Sequence, residues 1–250
     1  MDELIEPGTK VAPEKFKIVI SLNGPYLVYG RPPLRQEFIM NDRDGASWVY
    51  KAGKEYATGT EPTALCRCGE SRNAPYCDGS HERAGWDPRL TASRKPLLEG
   101  AEEINGPTVT LTDNSEYCAF ARFCDAQGRV WNLASMEGEK AAELTIREAN
   151  HCPAGRLKAW DNETEKPHEP EFEPSLALIE DPTIQSSGPI WVKGGIGFAA
   201  QDGGKYETRN RVTLCRCGQS SNKPFCNGTH ASMHFNDGLP KKPVPDGEEW

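Results

Sequence analysis

The sequence predicts an α+β fold, mainly β with short helices, arranged as two β-rich modules with a smaller segment between them. Three observations carry this. Only 36% of the 250 residues are apolar. Gly (24) and Pro (20) make up more than one residue in six, which favours turns and short strands over a large helical core. A seventeen-residue pattern also occurs twice: LCRCGESRNAPYCDGSH from Leu65 to His81 and LCRCGQSSNKPFCNGTH from Leu214 to His230.

The elements follow in chain order. GPYLVYG (Gly24 to Gly30) precedes the first copy and GPIWVKG (Gly188 to Gly194) the second; each reads as a turn and a short strand with alternating side chains. About twenty residues separate the later strand from Cys215 and about thirty-five the earlier one from Cys66. RQEFIMNDRDGASWVYKAG is therefore expected to be an inserted hairpin turning at DRDG. Between the copies, TVTL (Thr108 to Leu111), RVWNL (Arg129 to Leu133) and RLKAW (Arg156 to Trp160) read as short strands. GEKAAELTIREANHC has the best helical pattern, with Ala142, Leu144, Ile146 and Ala149 near one face. Pro153 stops that helix at Cys152. DNETEKPHEPEFEP (Asp161 to Pro174) is acidic and Pro-punctuated, as an exposed linker would be. The expected divisions are a first module over 1–97, a middle segment over 98–160, the linker over 161–175 and a second module over 176–250.

The net charge is −8 and no Lys/Arg run suggests a phosphate-binding face, so nucleic acid is not an expected partner. A redox partner with a basic face is compatible with that charge. The N-terminal MDELIEPGTK lacks the apolar core of a signal peptide, and no run of eighteen apolar residues exists. A cytoplasmic protein is expected, where nine cysteines are metal ligands more readily than disulfides.

The cysteines form three sets: Cys66, Cys68 and Cys77; Cys118, Cys124 and Cys152; Cys215, Cys217 and Cys226. His81 and His230 complete the outer sets with the spacing C-x-C-x8-C-x3-H. Three thiolates and an imidazole suit zinc or an iron–sulfur cluster. C-x-C is tight for one zinc ion, which is normally gripped by cysteines two to four residues apart. A two-iron cluster divides the set, with Cys66 and Cys68 on one iron and Cys77 and His81 on the other. Gly69 and Gly79 would let backbone approach inorganic sulfide. Asp78, replaced by Asn227 in the second copy, can cap the turn that follows. Arg67 and Arg216, between the paired ligands, would either stabilise an anionic cluster or bond to loop carbonyls.

With Ser71 and Ser220 and with Pro75 and Pro224 in register, both copies resemble the CDGSH iron–sulfur family, which includes the mitochondrial NEET proteins. The second copy departs at Asn227. The resemblance implies a 2Fe–2S cluster on Cys66, Cys68, Cys77 and His81, and another on Cys215, Cys217, Cys226 and His230. It also implies a β-rich cap beside each cluster. The tandem chain looks like the family's homodimer fused into one polypeptide, a monomer whose halves form a pseudo-two-fold pair.

CAFARFC (Cys118 to Cys124) and HCPAGRL around Cys152 are similar to the divergent single-cluster ferredoxins. Ferredoxins place a cysteine between the first two of these, where this chain has Ala121. The three remaining thiolates are the number a 3Fe–4S cluster needs. A 4Fe–4S cluster with water or His151 on its fourth iron, and three cysteines without a cluster, are the alternatives. TVTL and RLKAW would pair as the closing strands.

His168 and His234 are expected to be solvated, and Trp48, Trp131, Trp160 and Trp191 to fill the core. No nucleophile–base pair, Walker loop or dinucleotide fingerprint is present, and GGIG (Gly194 to Gly197) is too short to count. The expected function is single-electron transfer to a redox partner protein. Delivery of clusters to an apo-protein acceptor, or redox or pH sensing, is the alternative.

Overall fold

A computed structural model describes residues 4–243. The first repeat contributes strands β1 (Lys17–Ile20), β2 (Tyr26–Tyr29), β3 (Leu34–Asn41), β4 (Ser47–Tyr56) and β5 (Thr63–Leu65). The middle segment contributes β6 (Glu102–Asn105), β7 (Val109–Asp113), helices α1 (Val130–Ala134) and α2 (Glu139–His151), and β8 (Leu157–Asp161). The second repeat contributes β9 (Ser175–Asp181), β10 (Ser186–Lys193), β11 (Gly197–Ala200), β12 (Arg211–Leu214) and α3 (Thr229–Ser232).

The two repeats exchange strands. One sheet runs β11-β1-β2-β5 and the other β12-β10-β9-β3-β4. β11 of the second repeat lies parallel to β1 of the first, and β3 of the first lies parallel to β9 of the second. All other pairs in these sheets are antiparallel. Tyr26 faces Leu65 in one sheet as Ile190 faces Leu214 in the other. Each strand ahead of a cysteine loop is thus anchored identically, as a pseudo-two-fold pair requires. The inserted hairpin is β3–β4, turning over Asp42–Ala46 as DRDG predicts.

The facing sides of the sheets share one core. Ile18, Ile20 and Val28 from one sheet and Leu176, Leu178, Ile190, Val192 and Val212 from the other belong to a single cluster. Alternation places Ile18 and Ile20 inward on β1, while Lys17 is exposed. The second sheet is different: every residue of β10 and of β12 is buried. Its outer face carries Ala177, Ile179 and Trp191, which pack against Ala121 and Phe123 of the middle segment. One sheet is therefore covered once and the other twice.

The middle segment forms its own sheet, β6-β7-β8, with β7 and β8 antiparallel as TVTL and RLKAW suggest. RVWNL departs from expectation: Val130–Ala134 is helix α1, not a strand. Five residues with buried Val130, Leu133 and Ala134 fit one helical turn against α2 as well as they fit alternation. α2 ends at Cys152 as Pro153 requires. Its buried face is Ala141, Ala142, Thr145, Glu148 and Ala149, so Leu144 and Ile146 flank it instead of lying on it. The 161–174 stretch is more than an exposed linker. Trp160 bridges Pro167, and Glu169 is buried against Lys158 (2.7 Å) and Arg211 (3.3 Å). Two buried cations draw the carboxylate in, which acidic composition alone hides. Among the described residues no helix is long and apolar enough to cross a membrane.

Candidate metal centres

Each cysteine loop is closed by the same bonds. Cys66 N–H donates to the Pro75 carbonyl (2.8 Å) and Cys77 N–H to that of Ala64 (2.9 Å). In the second loop Cys215 N–H donates to Pro224 (2.7 Å) and Cys226 N–H to Thr213 (2.9 Å). Ser71 Oγ donates to the Tyr76 carbonyl (2.5 Å) and Ser220 Oγ to that of Phe225 (2.7 Å). The repeated Ser is thus a brace across the eight-residue gap. Asp78 accepts from Ser80 N–H (3.0 Å) and Arg72 N–H (2.9 Å). Asn227 accepts from Thr229 N–H (3.3 Å) but turns its amide to donate to Ser221 Oγ (2.8 Å).

The four donors of each loop fall into two pairs. Cys66 and Cys68 sulfurs are 3.7 Å apart, and Cys77 Sγ is 3.5 Å from His81 Nδ1. In the second loop the separations are 3.8 Å between Cys215 and Cys217 and 3.4 Å from Cys226 Sγ to His230 Nδ1. Two thiolates at ~2.3 Å from one tetrahedral ion lie about 3.8 Å apart, and a thiolate with an imidazole at ~2.1 Å about 3.6 Å. Each pair therefore fits one tetrahedral ion. Among the described residues no three His, Cys, Asp or Glu side chains converge on a single ion. Two such pairs per loop are a donor set that an iron–sulfur cluster with two metal positions could use.

Electrostatics separate the members of each pair. Cys66 is lowered to about 6, first by the Cys68 thiol and then, against burial, by backbone N–H groups of Ser71, Gly69 and Cys68. Cys68 is raised by the same shared contact and by burial. Cys215 is lowered to about 7 by Cys217, with Ser220 and Gly218 N–H groups and Lys223 helping against burial. His230 is lowered to about 4 by burial, then by Arg216 and Arg122. It is 4% exposed, whereas Cys77 and His81 are only partly buried.

The two loops touch. A Cβ on Gly69 would lie 2.6 Å from the Cys217 carbonyl oxygen, and one on Gly218 2.3 Å from that of Cys68. Gly69 therefore makes room for the opposite loop. A Cβ on Gly79 would meet nothing, so its role is its φ of +83°. Arg67 and Arg216 hydrogen-bond to surrounding carbonyls and a carboxylate. Arg67 donates to the carbonyls of Gly24 (2.9 Å), Pro88 (3.0 Å) and Ser21 (2.7 Å). Arg216 donates to the Ile179 carbonyl (3.1 Å) and to Glu180 (2.8 Å).

Sequence reasoning missed Trp86 and Phe235. Each lies five residues beyond its loop's histidine, and that shared offset was the available signal. Trp86 stacks on Arg67 (4.4 Å), meets His81 edge-on (6.4 Å), and donates from Nε1 to the Gly218 carbonyl (3.1 Å). Phe235 packs on Cys215 and Cys217 and, with Cys66 and Gly69, lines a small pocket. Of the predicted core tryptophans, Trp191 is buried, Trp131 lies on α1, and Trp48 is stacked under Arg147 (3.3 Å).

Cys118, Cys124 and Cys152 line one small, partly open cavity, together with Ala121, Arg122, Pro153 and Arg156. Ala121 occupies the wall where a fourth cysteine would stand. His151 is not in the lining; its Nδ1 lies 2.8 Å from the Arg147 carbonyl and its ring packs on Phe123 (5.3 Å). Cys124 is raised to about 12 by burial and then by Cys152. Arg156 faces the three sulfurs. Burial opposes its charge, but Cys152, Cys118, Asp113 and Cys124 together hold it above the usual range. It is anchored by an ion pair to Asp113, which also accepts from Trp131 Nε1 (2.9 Å). Three thiols around a cavity that two arginines also line suit an anionic iron–sulfur cluster. This site adjoins the second loop: a Cβ on Gly228 would lie 3.1 Å from the Cys118 carbonyl oxygen.

A family model described as iron-binding zinc finger, CDGSH type, matches residues 23–82 and 187–231. A second, a divergent 4Fe–4S mono-cluster, matches residues 104–162. No curated protein matches the chain, and no solved structure does. The chain is a protein of the iron–sulfur class. It carries two CDGSH-type regions with a divergent single-cluster ferredoxin region between them.

Proposed function

We propose that the protein carries single electrons for a redox partner protein. It uses a 2Fe–2S cluster on Cys66, Cys68, Cys77 and His81, a second on Cys215, Cys217, Cys226 and His230, and a 3Fe–4S cluster on Cys118, Cys124 and Cys152. When bound, these groups supply one-electron chemistry. The observation that carries the reading is the contiguity of the three sites. The second loop touches the first through Gly69 and Gly218 and the middle site through Gly228 and Cys118. The chain's residues hold each donor set in place, exclude water from the second loop and surround it with buried cations. Ala121 on the cavity wall favours three irons over the four of the matched family. None of the nine cysteines forms a disulfide, which suits their use as ligands in a reducing, cytoplasmic setting, and the exchanged strands suit a monomer with an internal pseudo-dimer.

Iron and sulfide analysis with EPR of the isolated and reduced protein tests this. About seven irons per chain, with one oxidised trinuclear and two reduced binuclear signals, are expected. About eight irons makes the middle centre a 4Fe–4S cluster, and about four leaves the middle cysteines without one.

One observation favours a second reading, delivery of a cluster from the first loop: Cys77 and His81 reach solvent. Incubation with an apo-protein acceptor tests it, and an acceptor that gains no iron excludes it.

A further inference from the structure

We infer that Arg209 is a cation shared by the second CDGSH-type centre and the middle centre, raising the reduction potentials of both and not that of the first. The inference rests on the cluster positions proposed above. Arg209 is 2% exposed. Its guanidinium carbon lies 4.9 Å from the Tyr117 ring and 4.7 Å from the Phe225 ring, which meet each other edge-on at 5.0 Å. Tyr117 directly precedes Cys118 and Phe225 directly precedes Cys226. The clamp thus joins one ligand of each centre to the same buried charge.

The charge is not tied down by hydrogen bonds where it sits. Nη1 and Nη2 of Arg209 are buried and make no hydrogen bond among the described residues. Arg67, Arg211 and Arg216 are also buried, but each donates to carbonyls or carboxylates. Neither acidic neighbour hydrogen-bonds it: Glu207 accepts from Leu97 N–H (2.9 Å), and Glu6, whose buried carboxylate makes no hydrogen bond among the described residues, lies 3.2 Å from Lys158 Nζ and acts on Arg209 through its charge alone. Burial opposes the Arg209 charge, and Glu6, Tyr117, Glu207 and Cys152 favour it. None of these groups belongs to the first loop. Two aromatic faces hold a guanidinium by cation–π attraction without cancelling its field. In a buried setting that field acts over longer distances than in water. A thiolate-ligated cluster gains negative charge on reduction, and net charge nearby is one of the levers on its potential.

The test is a potentiometric EPR titration of the full chain and of R209M, R209K and E207Q, with the first centre as an internal reference. R209M is expected to lower the midpoints of the second and middle centres by about a decade in the reduction equilibrium, ~59 mV for one electron. R209K should restore most of the shift. E207Q keeps an acceptor for Leu97 N–H, removes a negative charge and should move the same two midpoints upward. Midpoints unmoved in both R209M and E207Q, or all three moving equally, overturn the inference. Should R209M fail to assemble, the sign and selectivity of the E207Q shifts decide it. Absent signals in the wild type would instead refute the cluster assignment.

Discussion

The two CDGSH-type loops share spacing, closing bonds and paired donors, yet sit in different surroundings. In the first, Cys77 and His81 reach solvent; in the second, Cys226 and His230 are 3% and 4% exposed. The cause lies outside the motif. The middle segment packs Phe123 and Ala121 on the outer face of the second sheet and lays the Cys118 carbonyl against Gly228. The chain from Phe235 to Lys241 then closes over Arg216, with Asp237 and Lys241 completing its ion-pair network. Over the first loop lies the lighter cover of Trp86 and Pro88 on Arg67, which leaves Cys77 and His81 partly exposed. The comparison teaches that identical ligands become an exposed site and an interior one according to what the rest of the chain lays over them.

The largest effect should come from breaking the contact between the loops. Gly218→Ala combines a φ of +75° with a Cβ 2.3 Å from the Cys68 carbonyl oxygen. About 1–2 kcal/mol for the backbone and ~1–3 kcal/mol for overpacking predict a loss of about 3 kcal/mol in urea unfolding. Gly79→Ala, with the same kind of φ and open space around it, should cost only about 1 kcal/mol. Equal losses would mean that the contact between loops does not matter.

Trp86→Leu removes the stacking on Arg67 and the bond to the Gly218 carbonyl. A loss of about 2 kcal/mol is expected, with the EPR line shape of the first centre altered more than that of the second. Unchanged spectra with unchanged stability would show that Trp86 is a passive cover.

Chelation should then separate the sites. Iron should leave the first loop about tenfold faster than the second under excess chelator, the factor given by ~1.4 kcal/mol of additional opening free energy. The readout is loss of visible absorption in two phases, assigned with the Cys77→Ser and Cys226→Ser variants. A single phase would remove the distinction between exposed and interior sites.

The smallest effect should be that of exchanging Asp78 and Asn227. Asp78→Asn gives up one of two backbone N–H bonds in the first loop, because the amide has a single acceptor oxygen. A small drop in the melting temperature is expected, and Asn227→Asp should leave the second loop's chelation rate nearly unchanged.

The sequence by itself determined the local chemistry: the donor types and spacing, the Ser brace, the hairpin over Asp42–Ala46 and the end of α2 at Cys152. These follow from short-range rules of turn geometry, side-chain alternation and proline, which neighbouring residues settle. Short segments with two compatible periods were less legible, as the helical Val130–Ala134 shows. Only the tertiary structure decided that β3 and β11 cross into opposite sheets, that Gly69 faces Cys217, and that Trp86 spans from Arg67 to Gly218. It also decided which loop is buried. Those outcomes depend on contacts between residues in different loops and segments of the chain, many more than a hundred positions apart, where burial of apolar faces and pairing of buried charges select the arrangement and local pattern carries no record of it.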